Sequence, residues 1–290
     1  MTLGELIERT AKRFAAASLF YGHGTDNARD EAAWLVLRGL GLAFDADLAR
    51  ELSTGELERI ERLAERRISE RMPVAYLLKE AWLAGHSFYV DERVIVPRSH
   101  IAELLREPFL ARRPVTRVLD LCTGSGCLAI LAARAYPSAE VDAAEISPAA
   151  LAVARKNIAR HRVGRRVHLR RSDLFGGLRG APYDLILTNP PYVSAGAMSE
   201  LPPEYRHEPR LALAGGRDGL DFVARILAAA PAHLTADGLL LCEVGDAKAA
   251  VQRRFGRLQL GWPKREVFSF QTAKTASARR TPPSRATGAR

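Results

Sequence analysis

The sequence predicts an α/β protein with a mostly parallel sheet, preceded by a small helical region and a β-hairpin. Three observations lead to this fold class. Strand and helix patterns alternate from residue 117 to residue 244, a Gly-rich loop joins the first of these strands to the first helix, and residues 2–71 show only helical spacing.

Composition limits the classes of protein that need to be considered. The chain has 290 residues, of which 47% are apolar, which leaves room for one large core and a smaller domain. The first thirty residues contain no apolar stretch typical of a signal peptide, and no run of about 18 uncharged apolar residues occurs. We therefore expect a cytoplasmic protein without membrane contact.

The three cysteines, Cys122, Cys127 and Cys242, are an odd number, and their spacing is unlike that of a zinc site or a redox pair. We expect them to be reduced and to act as small apolar side chains. The sequence predicts no metal site.

The N-terminal region contains apolar residues at helical spacing, which predicts three amphipathic helices. Ser53 and Glu56 form a capping-box pattern at the start of the third helix, and Pro73 ends it. Residues 81–97 are rich in aromatic and β-branched side chains, which favours a hairpin.

A short helix is expected near residues 101–111, and alternation begins after it. Strands are predicted at RVLDL, EVDAAE, RVHLRRSD, YDLILTN and LLLCEV, with helices at CLAILAARAY, at SPAALAVARKNIARH and near residues 219–234. Ser147 should cap the second of these helices, with Pro148 at its first position. In such sheets ligands bind beyond the C-terminal ends of the strands, so chemistry is expected in the loops that follow them.

The loop in VLDLCTGSGCLAI places Gly124 and Gly126 between a strand and a helix, where small residues let backbone amides approach a ligand. Alone, this loop is compatible with a tight turn in any α/β protein. It also fits a dinucleotide-binding loop loosely, because Ala129 occupies the third small position and Glu145 follows about twenty residues later.

Asp120 extends the loop to the pattern D-x-x-T-G-S-G, which resembles the first motif of S-adenosylmethionine-dependent methyltransferases with a Rossmann-like fold (class I). The resemblance implies that Glu145 binds the ribose hydroxyls and that Asp173 lies beside the adenine; both acids could also be ordinary loop caps. The candidate residues for binding S-adenosyl-L-methionine are Asp120, Thr123, Gly124, Ser125, Gly126, Glu145, Asp173 and Asn189. A side chain larger than glycine at Gly126 is expected to block the cofactor.

The stretch LTNPPY ends a predicted strand with Asn189, Pro190 and Tyr192, and it resembles the substrate motif of methyltransferases that act on planar, conjugated nitrogen. Such a nitrogen is a poor nucleophile because its lone pair is delocalised. In this hypothesis the Asn189 side-chain oxygen and the Pro190 carbonyl each accept one N–H, and Tyr192 packs on the flat group. The two consecutive prolines restrict the backbone, so both acceptors are held rigidly.

Exocyclic base amines and the glutamine side-chain amide both suit this motif. The flanking stretches FYVDERVIVPRSHIAELL and LPPEYRHEPRLALAGGRDGLDFVARIL resemble the protein-(glutamine-N5) methyltransferase family of HemK-like enzymes, in the branch that modifies large-subunit ribosomal protein number three. That protein is the implied substrate. A nucleic-acid methyltransferase acting on an exocyclic base amine is the alternative, and a non-catalytic ribosome-assembly protein is a third class that the intact Asn189, Gly124 and Glu145 disfavour.

The chain departs from the family pattern in three places. His100 stands where proline is usual, LLKEAW replaces a turn that usually contains Thr-Gly, and the segment GWPKREVFSFQTAK lacks a Gly-Gly pair before its final strand. The first two departures are expected to affect local turns only. The third leaves the choice of protein substrate open.

Together these patterns divide the chain into four parts. They are a helical substrate-recognition domain (1–80), a hairpin linker (81–100), a methyltransferase domain (101–272) and a basic, disordered tail (273–290). The last twenty residues hold five of the Lys and Arg residues and no acid, in a chain of net charge +10. The tail could contact ribosomal RNA or be a solvated extension.

Overall fold

The computed structural model describes residues 1–271. It confirms the predicted fold class, with a helical region, a small antiparallel hairpin and a larger, mostly parallel sheet. The predicted tail, 273–290, lies outside the described residues, as does residue 272. No helix within residues 1–271 is long and apolar enough to span a membrane.

Four helices form the N-terminal region: α1 (Leu3–Ala16), α2 (Ala28–Gly39), α3 (Thr54–Ser69) and a short α4 (Val74–Leu78). The capping box at Ser53 and Glu56 is confirmed, because each side chain bonds to the backbone of the other residue. The sequence reasoning missed α4, which begins directly after Pro73. The helices bury apolar residues such as Leu6, Leu35 and Ile60 in a common core.

The hairpin is shorter than predicted. Strands β1 (Ala81–Leu83) and β2 (His86–Phe88) pair in antiparallel fashion around Ala84 and Gly85, both of which have positive φ. Residues 89–97 continue without regular structure and insert Val90, Val94 and Val96 into the core of the helical region. That core also includes Ala150 and Val153 of a later helix, so the helical region packs directly on the sheet domain.

The predicted helix near residues 101–111 is two short helices, α5 (Ile101–Leu104) and α6 (Pro108–Ala111). The remaining helices are α7 (Cys127–Ala135), α8 (Pro148–Arg160), α9 (Ala197–Glu200), α10 (Asp221–Ala229) and α11 (Lys248–Phe255). Single 3₁₀ turns occur at Pro203–His207, Arg210–Ala212, Ala230–Ala232 and Gly245–Ala247. Ser147 caps α8 and Pro148 is its first residue, as predicted.

The large sheet contains β3 (Arg117–Leu121), β4 (Glu140–Glu145), β5 (Val167–Arg171), β6 (Tyr183–Thr188), β7 (Leu234–Glu243), β8 (Gly261–Lys264) and β9 (Val267–Phe270). Its strand order is β5-β4-β3-β6-β7-β9-β8. The first five strands are parallel, whereas β9 is antiparallel to β7 and to β8. The two last strands form although the family's Gly-Gly pair is missing.

Apolar cores cover both faces of this sheet, as the near-continuous apolar strands predict. In β6, Leu185 and Leu187 belong to the core under α7, while Ile186 belongs to the core under α10 and α11. Strand order reverses between β3 and β6, which are neighbours at the centre of the sheet. The loops after β3 and β6 therefore open at the same edge, where ligands bind in such sheets.

Candidate active site

A cavity of about 200 Å³ lies beyond the C-terminal ends of the central strands. Four of the predicted site residues line it: Gly124, Glu145, Asp173 and Asn189. Other parts of its wall come from residues that sequence reasoning missed, namely Arg93, Val94, Ile95, Cys122, Ile146, Ser147, Ala150, Ser172, Leu174, Pro191, Pro209, Leu211, Ala212, Phe222 and Arg225. The structure thus brings the motif loops after β3, β4, β5 and β6 to one place.

Glu145 connects two of these loops. Its Oε2 accepts a hydrogen bond from the backbone N–H of Gly124 at 3.0 Å, and its Oε1 accepts one from the N–H of Ser147 at 3.0 Å. Both bonds use backbone donors, so the carboxylate is fixed at the end of β4. It remains half-buried at the cavity wall, where it can still accept bonds from a ligand.

Asp120 lies behind the Gly loop and does not line the cavity. Its Oδ2 accepts hydrogen bonds from the hydroxyl of Thr123 and from the N–H of Ala129. Its Oδ1 is buried without a hydrogen-bond partner among residues 1–271. Burial raises the pKa of Asp120 to about 7, although these two hydrogen bonds oppose the shift.

The other loop residues shape the turn. Thr123 and Ser125 are buried; the Ser125 carbonyl accepts a hydrogen bond from the Asn157 side chain on α8. Cys122 has a φ of 57°, a conformation that costs a non-glycine residue energy and that is common at ligand sites. The three cysteines are free; Cys127 and Cys242 are buried and Cys122 is half-buried, and burial raises the pKa of Cys122, so it is a poor nucleophile.

The two glycines of the loop serve different purposes. Gly124 has a φ of +53°, and an added Cβ would meet only the Cys122 carbonyl, at 4.0 Å. Gly126 has a φ of +81°, and its Cβ would lie 3.2 Å from the Cβ of Ala154 on α8. A Cβ at Gly126 would therefore press on α8, whereas Gly124 faces the cavity; the expected role of Gly126 in cofactor binding stays a prediction.

Asp173 lies at the edge of the cavity, where it pairs with Arg225 of α10 at 2.8 Å. Both side chains are about half exposed, so this pair is easily exchanged for contacts with a ligand. Ile146 and Leu211 leave 45% and 55% of their surface exposed and line the same cavity, which gives it apolar walls. The exposure of these two apolar side chains is visible only in the structure, so the sequence did not identify them as site residues.

Asn189 follows the last residue of β6 and its side chain is half-buried at the cavity. Thr188 fixes the strand end by donating its hydroxyl to the Leu121 carbonyl at 3.1 Å. Neither the Asn189 side chain nor the Pro190 carbonyl has a hydrogen-bond partner within residues 1–271. Both predicted acceptors are thus free and held by a buried pair of prolines.

Tyr192 does not line the cavity; it is packed among three glycines. An added Cβ would contact the Tyr192 backbone at Gly215 and Gly219, and it would lie 2.7 Å from the Tyr192 ring at Gly245. Burial raises the pKa of Tyr192 to about 12, with a smaller contribution from Glu243. The hydroxyl therefore stays protonated at neutral pH and is not a general base.

The segment after the Asn-Pro-Pro-Tyr loop is attached to the rest of the molecule by Glu208. This buried carboxylate pairs with both terminal nitrogens of Arg98, at 2.5 and 2.6 Å, and accepts a bond from the N–H of Val96 at 3.0 Å. The Arg98 guanidinium also lies over the Tyr205 ring, 5.4 Å from its centre. Two stretches that resemble the family, VPRS and EYRHEP, thus meet in one contact.

A second buried carboxylate, Glu204, attaches the same segment to the helical region. It pairs with Arg67 of α3 at 3.2 Å and with Arg71 at 3.0 Å, and it accepts a bond from the N–H of Phe20 at 3.1 Å. Arg67 is fully buried and also donates to Glu31 of α2 at 2.6 Å. We call Arg67, Arg98, Glu31, Glu204 and Glu208 the interdomain ion-pair cluster.

His100, one of the departures from the family pattern, makes a contact across the fold. Its backbone N–H donates to the buried carboxylate of Glu243 at 3.1 Å, beside the Ser99 hydroxyl at 2.6 Å. A proline at this position could not donate this bond. The departure therefore adds a link between the segment before α5 and the end of β7.

The fold and the site together define a class I methyltransferase. Residues 101–201 match the family model described as "Methyltransferase small domain". The catalytic domain of hMettl16 in complex with MAT2A 3′UTR hairpin 6 has the same fold, with a TM-score of 0.50 at 13% identity over 79% of this chain and 86% of that one.

Relatives define the family more narrowly. The chain is 52% identical over 268 residues to the ribosomal protein uL3 glutamine methyltransferase of Bordetella pertussis, and 49% identical over 275 residues to that of Burkholderia pseudomallei. Each match covers 90% of this chain and 90% of the relative. The chain belongs to the family of ribosomal protein uL3 glutamine methyltransferases, which confirms the resemblance found in the sequence.

Proposed function

We propose that this protein transfers a methyl group from S-adenosyl-L-methionine to the side-chain amide nitrogen of a glutamine in ribosomal protein uL3, the large-subunit protein number three. The observation that carries the proposal is the pair of free acceptors at Asn189 and Pro190, of which Asn189 lines the cavity. The family relationship supplies the substrate, because the relatives at about half identity carry that name.

A primary amide has two N–H groups and a nitrogen lone pair delocalised into its carbonyl. The Asn189 side-chain oxygen and the Pro190 carbonyl each accept one N–H, which fixes the plane of the amide. Because both acceptors are attached to a rigid strand end, the nitrogen is held in an attacking position without reorganisation. Once the nitrogen carries the methyl group, one of its protons is released to solvent, since the protonated Tyr192 cannot accept it.

The cavity suits the methyl donor, which supplies an electrophilic methyl group on a sulfonium when bound. Glu145 offers carboxylate oxygens for ribose hydroxyls, whereas the buried Asp120 supports the Gly loop from behind by accepting bonds from Thr123 and Ala129. Ile146 and Leu211 offer apolar surface for a flat base, and Asp173 lies at the same wall. Gly124 keeps the cavity open at the loop.

The alternative, methylation of an exocyclic base amine, has weaker support. The RNA-bound structural neighbour shares the fold at 13% identity, whereas the glutamine methyltransferases are related over nearly the whole chain. Since ribosomal proteins are made in the cytoplasm, we place the reaction there.

The experiment offers isolated uL3 and ribosomal RNA to the enzyme with S-adenosylmethionine labelled in its methyl group, and locates the label by peptide mass spectrometry. The expected result is one methyl group on one glutamine of uL3 and none on RNA. Label on an RNA base, or on a uL3 residue other than glutamine, would show that the assignment is wrong. Asn189→Ala serves as the control for enzyme-dependent transfer.

A further inference from the structure

One stretch of the sheet domain is rich in Lys and Arg and contains no acidic residue. Residues 155–171 contain eight Lys or Arg residues and no Asp or Glu. They are Arg155, Lys156, Arg160, Arg162, Arg165, Arg166, Arg170 and Arg171. The stretch runs from the second half of α8 through a turn and along β5, and we call it the β5 strip.

Part of this charge is used inside the fold. Arg166 donates to the carbonyls of Tyr136 and Ala139, which ties the turn to the end of α7. Arg170 pairs with Asp142 of β4 at 2.8 Å. These contacts hold the strip in a defined shape on the domain.

Lys156 lies over the Tyr89 ring and Arg160 is 3.9 Å from Glu80, so four arginines of the strip remain. Arg155, Arg162, Arg165 and Arg171 are exposed, and none of them has an ion pair or side-chain hydrogen bond within residues 1–271. Since β5 lies at one edge of the large sheet, its outer side is not paired with another strand within residues 1–271. A cationic edge strand also resists pairing with other strands, but that purpose needs no charges on α8 and its turn.

We propose that the β5 strip binds RNA through its phosphates. Seven of the eight cations are arginines, whose planar guanidinium groups match phosphate oxygens in a two-pronged geometry. A membrane surface is a poorer partner, because none of the large exposed apolar residues of the described chain lies within 155–171. The strip is also separate from the predicted tail, so RNA contact does not depend on residues 273–290.

The test compares two triple variants that remove the same charge at different places. Arg162, Arg165 and Arg171 are replaced by Gln in the strip variant. Arg59, Arg253 and Arg257, which are also exposed and unpaired within residues 1–271, are replaced by Gln in the control variant. Affinity for a short RNA hairpin is measured over a series of salt concentrations, with and without residues 273–290.

The slope of log affinity against log salt should become flatter by about 2 to 3 in the strip variant, since each lost phosphate contact removes roughly 0.7 to 0.9. The control variant should keep the wild-type slope. Equal slopes in the two variants would refute the proposal, as would a slope that changes only when the tail is removed. If the strip variant lost as much affinity for a polyglutamate peptide as for the RNA hairpin, the strip would not select RNA.

Methylation of isolated uL3 separates this proposal from the proposed function. Both triple variants should methylate the isolated protein at the wild-type rate, because the strip is distinct from the Asn189 loop. A strip variant that binds RNA normally but loses activity on isolated uL3 would show that the strip contacts the protein substrate instead.

Discussion

The two sides of the candidate site are held in different ways. Around the cavity, short loops are fixed by bonds from backbone N–H groups to a side chain at most 21 positions away, as from Gly124 and Ser147 to the Glu145 carboxylate. Around the segment after the Asn-Pro-Pro-Tyr loop, buried ion pairs join residues more than a hundred positions apart, such as Arg67 with Glu204 and Arg98 with Glu208.

The difference indicates that cofactor binding and substrate positioning depend on different parts of the fold. A cofactor is the same in every reaction, so a local loop that binds it needs no other domain. A protein substrate must be positioned relative to both domains, and the interdomain ion-pair cluster fixes the segment that follows Tyr192 against the helical region. The helical region then determines where the acceptor loop lies, in addition to any contact it makes with the substrate.

Breaking the ion-pair cluster should give the largest effect. Arg67→Met leaves Glu31 and Glu204 buried without their shared partner, which typically costs about 3 to 5 kcal/mol in the free energy of unfolding. Denaturant unfolding measures the loss. Arg66→Met on the same helix removes an exposed pair with Glu70 and should cost less than about 1 kcal/mol.

Equal losses in the two variants would mean that burial of the cluster contributes nothing. Adding Glu31→Gln to Arg67→Met should recover part of the stability, because Glu31 then has no cationic partner within residues 1–271, whereas Glu204 still pairs with Arg71. Burial already raises the pKa of Glu31, which shows how costly its ionised form is.

On the acceptor loop, Asn189→Ala should lower turnover by roughly 10²- to 10³-fold, because one preorganised hydrogen-bond partner is lost. Cofactor affinity, measured by calorimetry, should stay within a few-fold. Asn27→Ala is the matched control: it removes the N-cap of α2 and should cost about 1 kcal/mol of stability with unchanged turnover. Near wild-type turnover by Asn189→Ala would show that Asn189 does not hold the substrate amide.

The stability of the contacts around the segment after the Asn-Pro-Pro-Tyr loop should also depend on pH. Burial lowers the pKa of His23 to about 4, while Glu208 and Glu204 oppose this shift and Arg98 and Arg67 reinforce it. His23 is neutral in the folded chain, so its contribution is intact above the unfolded pKa of about 6.5 and is lost as the pH falls towards 4, by up to about 3 kcal/mol.

Unfolding measured at several pH values in wild type and His23→Gln checks this. The difference in free energy between the two proteins should change between pH about 6.5 and about 4 and be constant at higher pH. A constant difference over the whole range would show that His23 protonates as easily in the folded chain as in the unfolded chain.

The residues on the cofactor side of the site could be predicted because their sequence motifs are local. The D-x-x-T-G-S-G loop, Glu145 and the capped start of α8 lie within about thirty residues, and their alternation with strands determines the edge at which they meet. The capping of α3 and α8 follows from similar short-range patterns.

The contacts that hold the segment after the Asn-Pro-Pro-Tyr loop could not be predicted in this way. Arg67 and Glu204 are separated by 137 positions, and a charged residue on an amphipathic helix is usually expected to be solvated. His100 and Glu243 are 143 positions apart, so the effect of replacing the usual proline could not be foreseen. Only tertiary packing reveals which charges are buried together.

Substitutions at the two glycines of the loop can distinguish a role in cofactor binding from a role in packing. Gly124→Ala and Gly126→Ala each place a side chain at positive φ, which costs roughly 1 to 2 kcal/mol. Gly126→Ala also pushes against Ala154, so it should lower the melting temperature more, while folded protein keeps most of its cofactor affinity. Gly124→Ala should lower cofactor affinity more than stability, because its methyl group lies at the cavity wall. Calorimetry with S-adenosylmethionine and thermal unfolding on both variants give the two quantities, and the opposite ranking would place the ligand against Gly126 after all.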